Sequence, residues 1–242
     1  RRINRQAAAA IKEGYTFIIL SDRGVNLNYA GIPSLLAVSS LHHYLVRRSL
    51  RTQISIILES AEPREIHHFA LLFAYGVDCV NPYLVFGALE KMAREKELNL
   101  SAPKAKNNYS KAIDKGILKV LSKMGISTLQ SYRGAQIFEA VGLSTNVIDA
   151  YFTGTVSRIN GASLDVIAKE TILRHKQAFG ARPQGEDYLA SGGFYQWRRD
   201  GEFHLWNPDT IAALQDAVRN NDAKKYQEFA SLINDQSKNP TT

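Results

Sequence analysis

Gln53-Ile-Ser-Ile-Ile-Leu-Glu59 decides the fold of this chain. Its aliphatic run of Ile54, Ile56, Ile57 and Leu58 is too short for a helix and rich in side chains that suit a pleated surface, so it reads as a buried strand. Upstream, Ile32 to Arg48 is long enough for a helix, with Leu35, Val38, Leu41 and Leu45 on one side and Pro33 acceptable in the first turn. Before it, Thr16-Phe-Ile-Ile-Leu-Ser21 is a second strand, set off by Gly14 from a helix of Ile3 to Glu13. Downstream, Glu62 to Tyr75 is helical and stopped by Gly76, Val77-Asp-Cys-Val-Asn81 is a brief third strand, and Pro82 to Glu97 is a helix with Asn81 as its side-chain cap. Crossovers of this length join strands in parallel and with a right-handed sense. The expected class is α/β, with parallel strands and crossover helices forming an open sheet or part of a barrel.

Farther on, Leu98 to Asn108 is polar, contains Pro103 and is expected to cross the surface. Tyr109 to Met124 reads as a helix with an apolar stripe of Ile113, Ile117, Val120 and Met124, and Gly125 as its left-handed stop. Ile126 to Leu129 is a candidate fourth strand, Gly134 to Val141 a short helix capped by Gly142, Asn146 to Phe152 another helix, and Gly154 to Gly161 a loop. A boundary is expected near residue 160, giving units 1–160 and 161–242. The second begins with a helix from Ser163 to Phe179 and a Gly-rich connection. Phe194-Tyr-Gln-Trp197 and Glu202-Phe-His-Leu-Trp206 flank an Asp-Gly pair that favours a tight hairpin, and helices from Pro208 to Asn220 and Ala223 to Asp235 follow, the first capped by Asn207. This is a mainly helical connector with a short hairpin.

The chain has 242 residues, 45% apolar and 22% charged, which is ordinary globular composition. A net charge of +7 invites a nucleic-acid reading. The basic residues are spread along the chain without an aromatic-rich or zinc-finger signature, which argues against it. Cys79 is the one cysteine, so an internal disulfide framework is excluded and a cytoplasmic setting fits; flanked by apolar residues, its thiol is expected to be buried. No apolar run approaches the roughly 18 residues a membrane span needs. The start at Arg1 and the polar end at Thr242 give the expectation of a piece of something larger.

Candidate chemistry is sparse. Open parallel sheets and barrels bind ligands beyond the carboxyl ends of their strands, which singles out Asp22 and Arg23, Glu59 and Ser60, Asn81, and Ser131, Tyr132 and Arg133 as a strand-end pocket or a domain interface. Neighbours on a helix point about 100° apart. Neither His42-His43 nor His67-His68 can therefore offer both rings to one ion, and one packed and one partly exposed imidazole is expected of the first pair. Glu65 and His68 make a Glu-x-x-His step, but a di-iron site needs a second step and further glutamates that the sequence lacks. Lys111, Lys115, Lys119 and Lys123 recur every four residues, as a solvated helix face does. Dinucleotide, phosphate-loop and nucleophile-elbow signatures are missing, so catalysis by this chain alone lacks support.

One long ordered likeness remains. Ile18-Ile-Leu-Ser-Asp-Arg-Gly24, Ile32-Pro-Ser-Leu-Leu-Ala-Val38, Glu62-Pro-Arg-Glu-Ile-His-His-Phe-Ala-Leu71, Asn81-Pro-Tyr-Leu84, the stretch from Lys111 to Leu143 and Tyr151-Phe-Thr-Gly-Thr-Val-Ser-Arg-Ile159 resemble, in the same order, the central domain of the glutamate synthase large subunit. Residues after about 161 resemble its run into the FMN-binding domain. The resemblance implies a structural segment joining a glutamine amidotransferase domain to an FMN synthase domain of the same polypeptide; the alternative reading is an independent FMN or phosphate-ligand binding domain, with a basic nucleic-acid module behind it. The parent enzyme would use FMN and an iron–sulfur cluster, with a small reductase subunit as a further partner. The family's cysteine nucleophile and clustered cysteine ligands have no counterpart here, so the resemblance assigns no catalytic, cofactor or metal residue to this chain. Glu62 to Phe69 and Asn81 to Leu84 look more like the pyridine-nucleotide-dependent branch than the ferredoxin-dependent one.

Overall fold

Side chains alternate across a strand with period two, and this alternation divides the sheet into a buried and an open side. The structure, a computed structural model, describes residues 2–180, 197–199, 201–235 and 237. Its first elements are α1 (Arg2–Lys12), β1 (Phe17–Ser21), α2 (Ser34–Arg47), β2 (Ser55–Glu59), α3 (Ile66–Ala74), β3 (Cys79–Asn81) and α4 (Tyr83–Arg94). The strands form one open parallel sheet in the order β1-β2-β3, with Ile19, Ile57 and Cys79 abreast and Ser21, Glu59 and Asn81 abreast.

Ile56 and Leu58, with the partly buried Ile18, Leu20 and Val80, pack on Val38, Leu41 and Leu45 of α2, Ala7 of α1 and Leu72 of α3. Val38, Leu41, Leu45 and Ile56 are wholly buried, each contributing roughly 2 kcal/mol. Cys79 corrects its expectation. It is exposed, because alternation puts it on the far side with Phe17 and Ile19.

Local chemistry fixes the helix ends. Pro33 precedes α2, and the Glu62 carboxylate accepts from the Ser34 amide at 2.7 Å and its hydroxyl at 2.5 Å, placing negative charge at a helix N-terminus. At α3, His68 Nδ1 accepts from the amides of Arg64 and Glu65 at 3.1 and 3.3 Å, so the Glu-x-x-His step serves as a helix cap. Asn81 does not cap α4; its amide turns to Glu59.

The later half departs further from expectation. α5 (Ala102–Met124) begins at Ala102 and absorbs much of the expected surface crossing, since Pro103 sits in the first turn, where a missing N–H costs little. Its buried stripe is Ala105, Ile113, Ile117 and Leu121, while Met124 is half exposed; Gly125 stops the helix at φ +68° as expected. The expected strand at 126–129 is absent: Thr128 Oγ1 accepts from the Ser131 amide and starts the short α6 (Leu129–Tyr132).

The expected helix at 134–141 and loop at 154–161 give way to β4 (Glu139–Leu143) and β5 (Val156–Ala162), a parallel pair with register shifts, joined by α7 (Thr145–Tyr151) and followed by α8 (Leu164–Phe179). A Cβ on Gly161 would lie 2.3 Å from the carbonyl oxygen of Gly142. The two glycines therefore permit a close approach of two backbones. α2 packs on α7 as well: Leu35 and Leu36 lie against Val147, Ile148 and Phe152, and Ser39 Oγ donates to the Tyr151 carbonyl.

The chain divides into two compact units, Arg1–Gly180 and Ala181–Thr242. In the second, α9 (Pro208–Asn220) packs on α10 (Ala223–Asn234), and Trp206 stacks on Phe229. Asn207 Oδ1 caps α9 by accepting from the Asp209 and Thr210 amides at 2.9 and 3.0 Å. Most of the expected first hairpin arm lies outside the described residues. The second, 202–206, is not a strand: its His204 and Leu205 carbonyls accept from Asn207 and Thr210 at the helix start.

Candidate functional site

Parallel strands with aligned ends bring five of the singled-out residues together. Glu59, at the end of β2, accepts from Ser21 Oγ at 2.6 Å, from Arg23 Nε at 2.7 Å and from Asn81 Nδ2 at 3.3 Å. These hydrogen bonds, Ser21 first and Arg23 next, hold its carboxyl below the usual carboxylate range. Arg23 also lies over the Tyr83 ring, 4.2 Å from its centroid, a cation–π contact. Asp22 accepts from Ser60 Oγ at 2.6 Å and from the Ala61 amide at 3.0 Å. Burial and the Asp22 carboxylate push the Tyr83 hydroxyl up to about 12.

Ser131, Tyr132 and Arg133 sit elsewhere. Ser131 bonds Thr128 at the start of α6. Tyr132 is wholly buried in the second core, against α3 and α5, and donates to the Ala70 carbonyl at 3.1 Å; burial pushes its hydroxyl up to about 12. Arg133 reaches Asp78 instead of the strand ends.

That contact belongs to a polar node beneath the sheet that sequence reasoning missed. Arg51 donates to the carbonyls of Ile54 and Gly76 at 2.6 and 2.7 Å, to Asp78 Oδ2 at 2.8 Å and to His42 Nδ1 at 3.0 Å. Asp78 also accepts from Arg133 and from the Ile56 amide. Burial alone would raise the Asp78 carboxyl, but the Ile56 and Arg51 hydrogen bonds and the two guanidinium charges bring it below its ordinary value. His42 accepts at Nδ1 and so is neutral with its proton on Nε2; burial first and Arg51 second lower its pKa to about 4. An aspartate within the apolar stretch 77–81 expected as a strand was the available signal, because an unpaired carboxylate there would be costly. Arg51 gave none, since it follows Arg47 and Arg48 and reads as one more surface cation.

The remaining candidates are bland. His42 is buried and His43 half-buried, as the wheel predicts, and burial lowers the His43 pKa. Among the described residues no group of three or more His, Cys, Asp or Glu could hold a metal ion, and no helix is long and apolar enough to cross a membrane. The lysine row of α5 is fully on the exposed side. A cleft of about 610 Å³ runs beside β1, between α1 and the loop that carries Gly24, Val25 and Tyr29. Its polar end offers Asp22, already committed to Ser60, and no unpaired cation.

The strand ends do not suit a flavin phosphate, because the one guanidinium there is neutralised by Glu59 and flanked by Asp22. A lone thiol likewise does not suit an iron–sulfur cluster, which needs several.

Compared with known proteins, residues 1–144 match the family described as glutamate synthase central domain. The chain belongs to the glutamate synthase family. It is 47% identical over 234 residues to the glutamate synthase [NADPH] large chain of Bacillus subtilis, covering 96% of this chain and 15% of that protein. It is 42% identical over 243 residues to the glutamate synthase [NADH] of Schizosaccharomyces pombe, covering 99% and 12%. It is 38% identical over 253 residues to the ferredoxin-dependent glutamate synthase of Pyropia yezoensis, covering 100% and 16%. The chain thus spans about one-seventh of the length of the glutamate synthases it matches. The strand-end cluster and the Asp78 node both lie within the residues matched to that central domain.

Proposed function

We propose that this chain is the structural segment of a glutamate synthase that joins the glutamine amidotransferase domain to the FMN synthase domain. Residues 1–160 form the later part of the central domain, and 161–242 the connector and the start of the FMN-binding domain. The parent enzyme forms glutamate from glutamine and 2-oxoglutarate by reductive transfer of ammonia. FMN and an iron–sulfur cluster lie elsewhere in its polypeptide, and a small reductase subunit is a further partner. A pyridine nucleotide as electron source is supported by Glu62 to Phe69 and Asn81 to Leu84; the single cysteine supports a cytoplasmic setting.

The observation that carries this reading is the saturation of the strand ends. Every charged group there is consumed by a neighbour: Glu59 by Ser21, Arg23 and Asn81, and Asp22 by Ser60 and the Ala61 amide. Such a cluster fixes loops in place, as a joint between modules requires, and leaves no general base or nucleophile poised for substrate.

The test is made in the parent enzyme with Glu59→Gln. Glutaminase activity and ammonia-dependent glutamate formation are each measured beside glutamine-dependent glutamate formation. A joint loses the coupled reaction severalfold while both half-reactions persist. Loss of one half-reaction alone, at unchanged KM for the other, would assign Glu59 to chemistry and overturn the proposal. Glutamate formation or tight flavin retention by this chain alone would overturn it as well.

A further inference from the structure

Both crossover helices of the first sheet lie on one side. α2 and α3 join strands that progress in one direction, β1 to β2 to β3, and right-handed crossovers then place both helices on the same face. That face holds the core with α1. On the other face Phe17 is 64% and Ile19 63% exposed, Cys79 is exposed and Ile57 only half-buried, and the last three stand abreast. Parallel sheets carry layers on both faces, since apolar strand residues point both ways. The open side of this one is apolar enough to require the same.

The edge is open too. Thr16 O accepts from Ser55 N and Asp22 N donates to Glu59 O. Alternation therefore turns the backbone groups of Phe17, Ile19 and Ser21 away from β2, and β1 has no ladder partner there among the described residues. Tyr15, 60% exposed, extends the apolar surface at one end, and Arg23 with Glu59 closes the other.

We infer that this face seats an apolar helix stripe from another part of the parent glutamate synthase polypeptide, laid across Phe17, Ile19, Ile57 and Cys79. The inference rests on the function proposed above. The occupant is chosen on two grounds. Roughly six-sevenths of the matched relatives' length lies outside this chain, so covering sequence is present in cis at high effective concentration. Helices are also what nature lays on parallel sheets. The polar rim of Ser21, Arg23, Glu59 and Asn81 marks where the apolar stripe must end.

Cys79 is a built-in reporter. The full-length parent enzyme is treated with N-ethylmaleimide, native and in urea, and the Cys79 peptide is followed by mass spectrometry; an Ile19→Cys variant supplies a second reporter two strands away. Both thiols are expected to react roughly 100-fold more slowly in the native enzyme than in the unfolded one. Labelling of native enzyme at the unfolded rate would overturn the inference. So would protection that vanishes when the enzyme is diluted to a monomer, which would assign the face to a second copy. The half-reaction measurements on Glu59→Gln stand apart: open thiols with coupled activity lost as expected would sink this inference alone, and covered thiols with a chemical phenotype would sink the joint alone.

Discussion

Asp78 holds two guanidinium groups and one backbone amide at once, and it sits only part-buried between the sheet and α2. Removing its charge strands Arg51, whose side chain is 10% exposed, against His42 and two carbonyls. Asp78→Asn should therefore cost about 3 kcal/mol in urea unfolding, close to what breaking a buried pair costs elsewhere. Gly76 adjoins the same node. Its φ is +116°, and an added Cβ would meet the His42 ring at 2.4 Å, whereas Gly125 has φ +68° with open space around it. Gly76→Ala should destabilise by more than about 2 kcal/mol and Gly125→Ala by about 1 kcal/mol, compared by thermal melts of the two variants.

His42 gives a pH dependence whose sign is fixed by its burial. Its pKa is 6.5 when unfolded and about 4 when folded, so as pH drops the unfolded chain takes the proton first. Stability from this group is whole above 6.5 and drains as pH falls toward about 4, by up to about 3 kcal/mol. The midpoint of urea unfolding should fall over that window with the slope unchanged.

Elements bound to a short-range pattern were legible in the sequence, and those bound to distant partners were not. β1, β2 and β3 announce themselves as apolar runs between helices, and α2 as a stripe of Val38, Leu41 and Leu45. β4 and β5 do not: Glu139-Ala-Val-Gly-Leu143 and Val156-Ser-Arg-Ile-Asn-Gly-Ala162 have weak apolar periods, and each becomes a strand only by pairing with the other. The strand-end residues on β1, β2 and β3 could be named because parallel strands align their ends, but 131–133 could not be placed without knowing that Thr128 starts a helix.

α5 tests the same logic from its exposed side. Lys111, Lys115, Lys119 and Lys123 form three like-charge steps of four residues, each unfavourable by a few tenths of a kcal/mol. Lys115→Glu turns two of those steps into attractions. It should raise stability by about 0.5 kcal/mol at low salt, with the gain fading in 0.5 M NaCl as screening sets in. A loss of stability would show that Lys115 has a partner of opposite charge.

For the molecule as a whole, an open sheet face, a saturated set of strand ends and a part-buried ionic node make one pattern: polar groups paired with one another, and one apolar face left open. In the proposed role, a segment built this way transmits position between its neighbours. Under the proposed function such a framework has a use, since it would hold two modules of one polypeptide at a fixed spacing.

One helix carries that spacing farther than its length suggests. Through Val38, Leu41 and Leu45 on one flank and Leu35, Leu36 and the Ser39 hydroxyl on another, α2 is keel to the first sheet and to α7, the crossover between β4 and β5. Tilting the first sheet must twist the keel and so press on α7. Deuterium uptake should then show β1, β2, β4 and α2 opening together as a single slow event, and a shock to one flank of the segment should be felt on the opposite flank without any atom travelling between them.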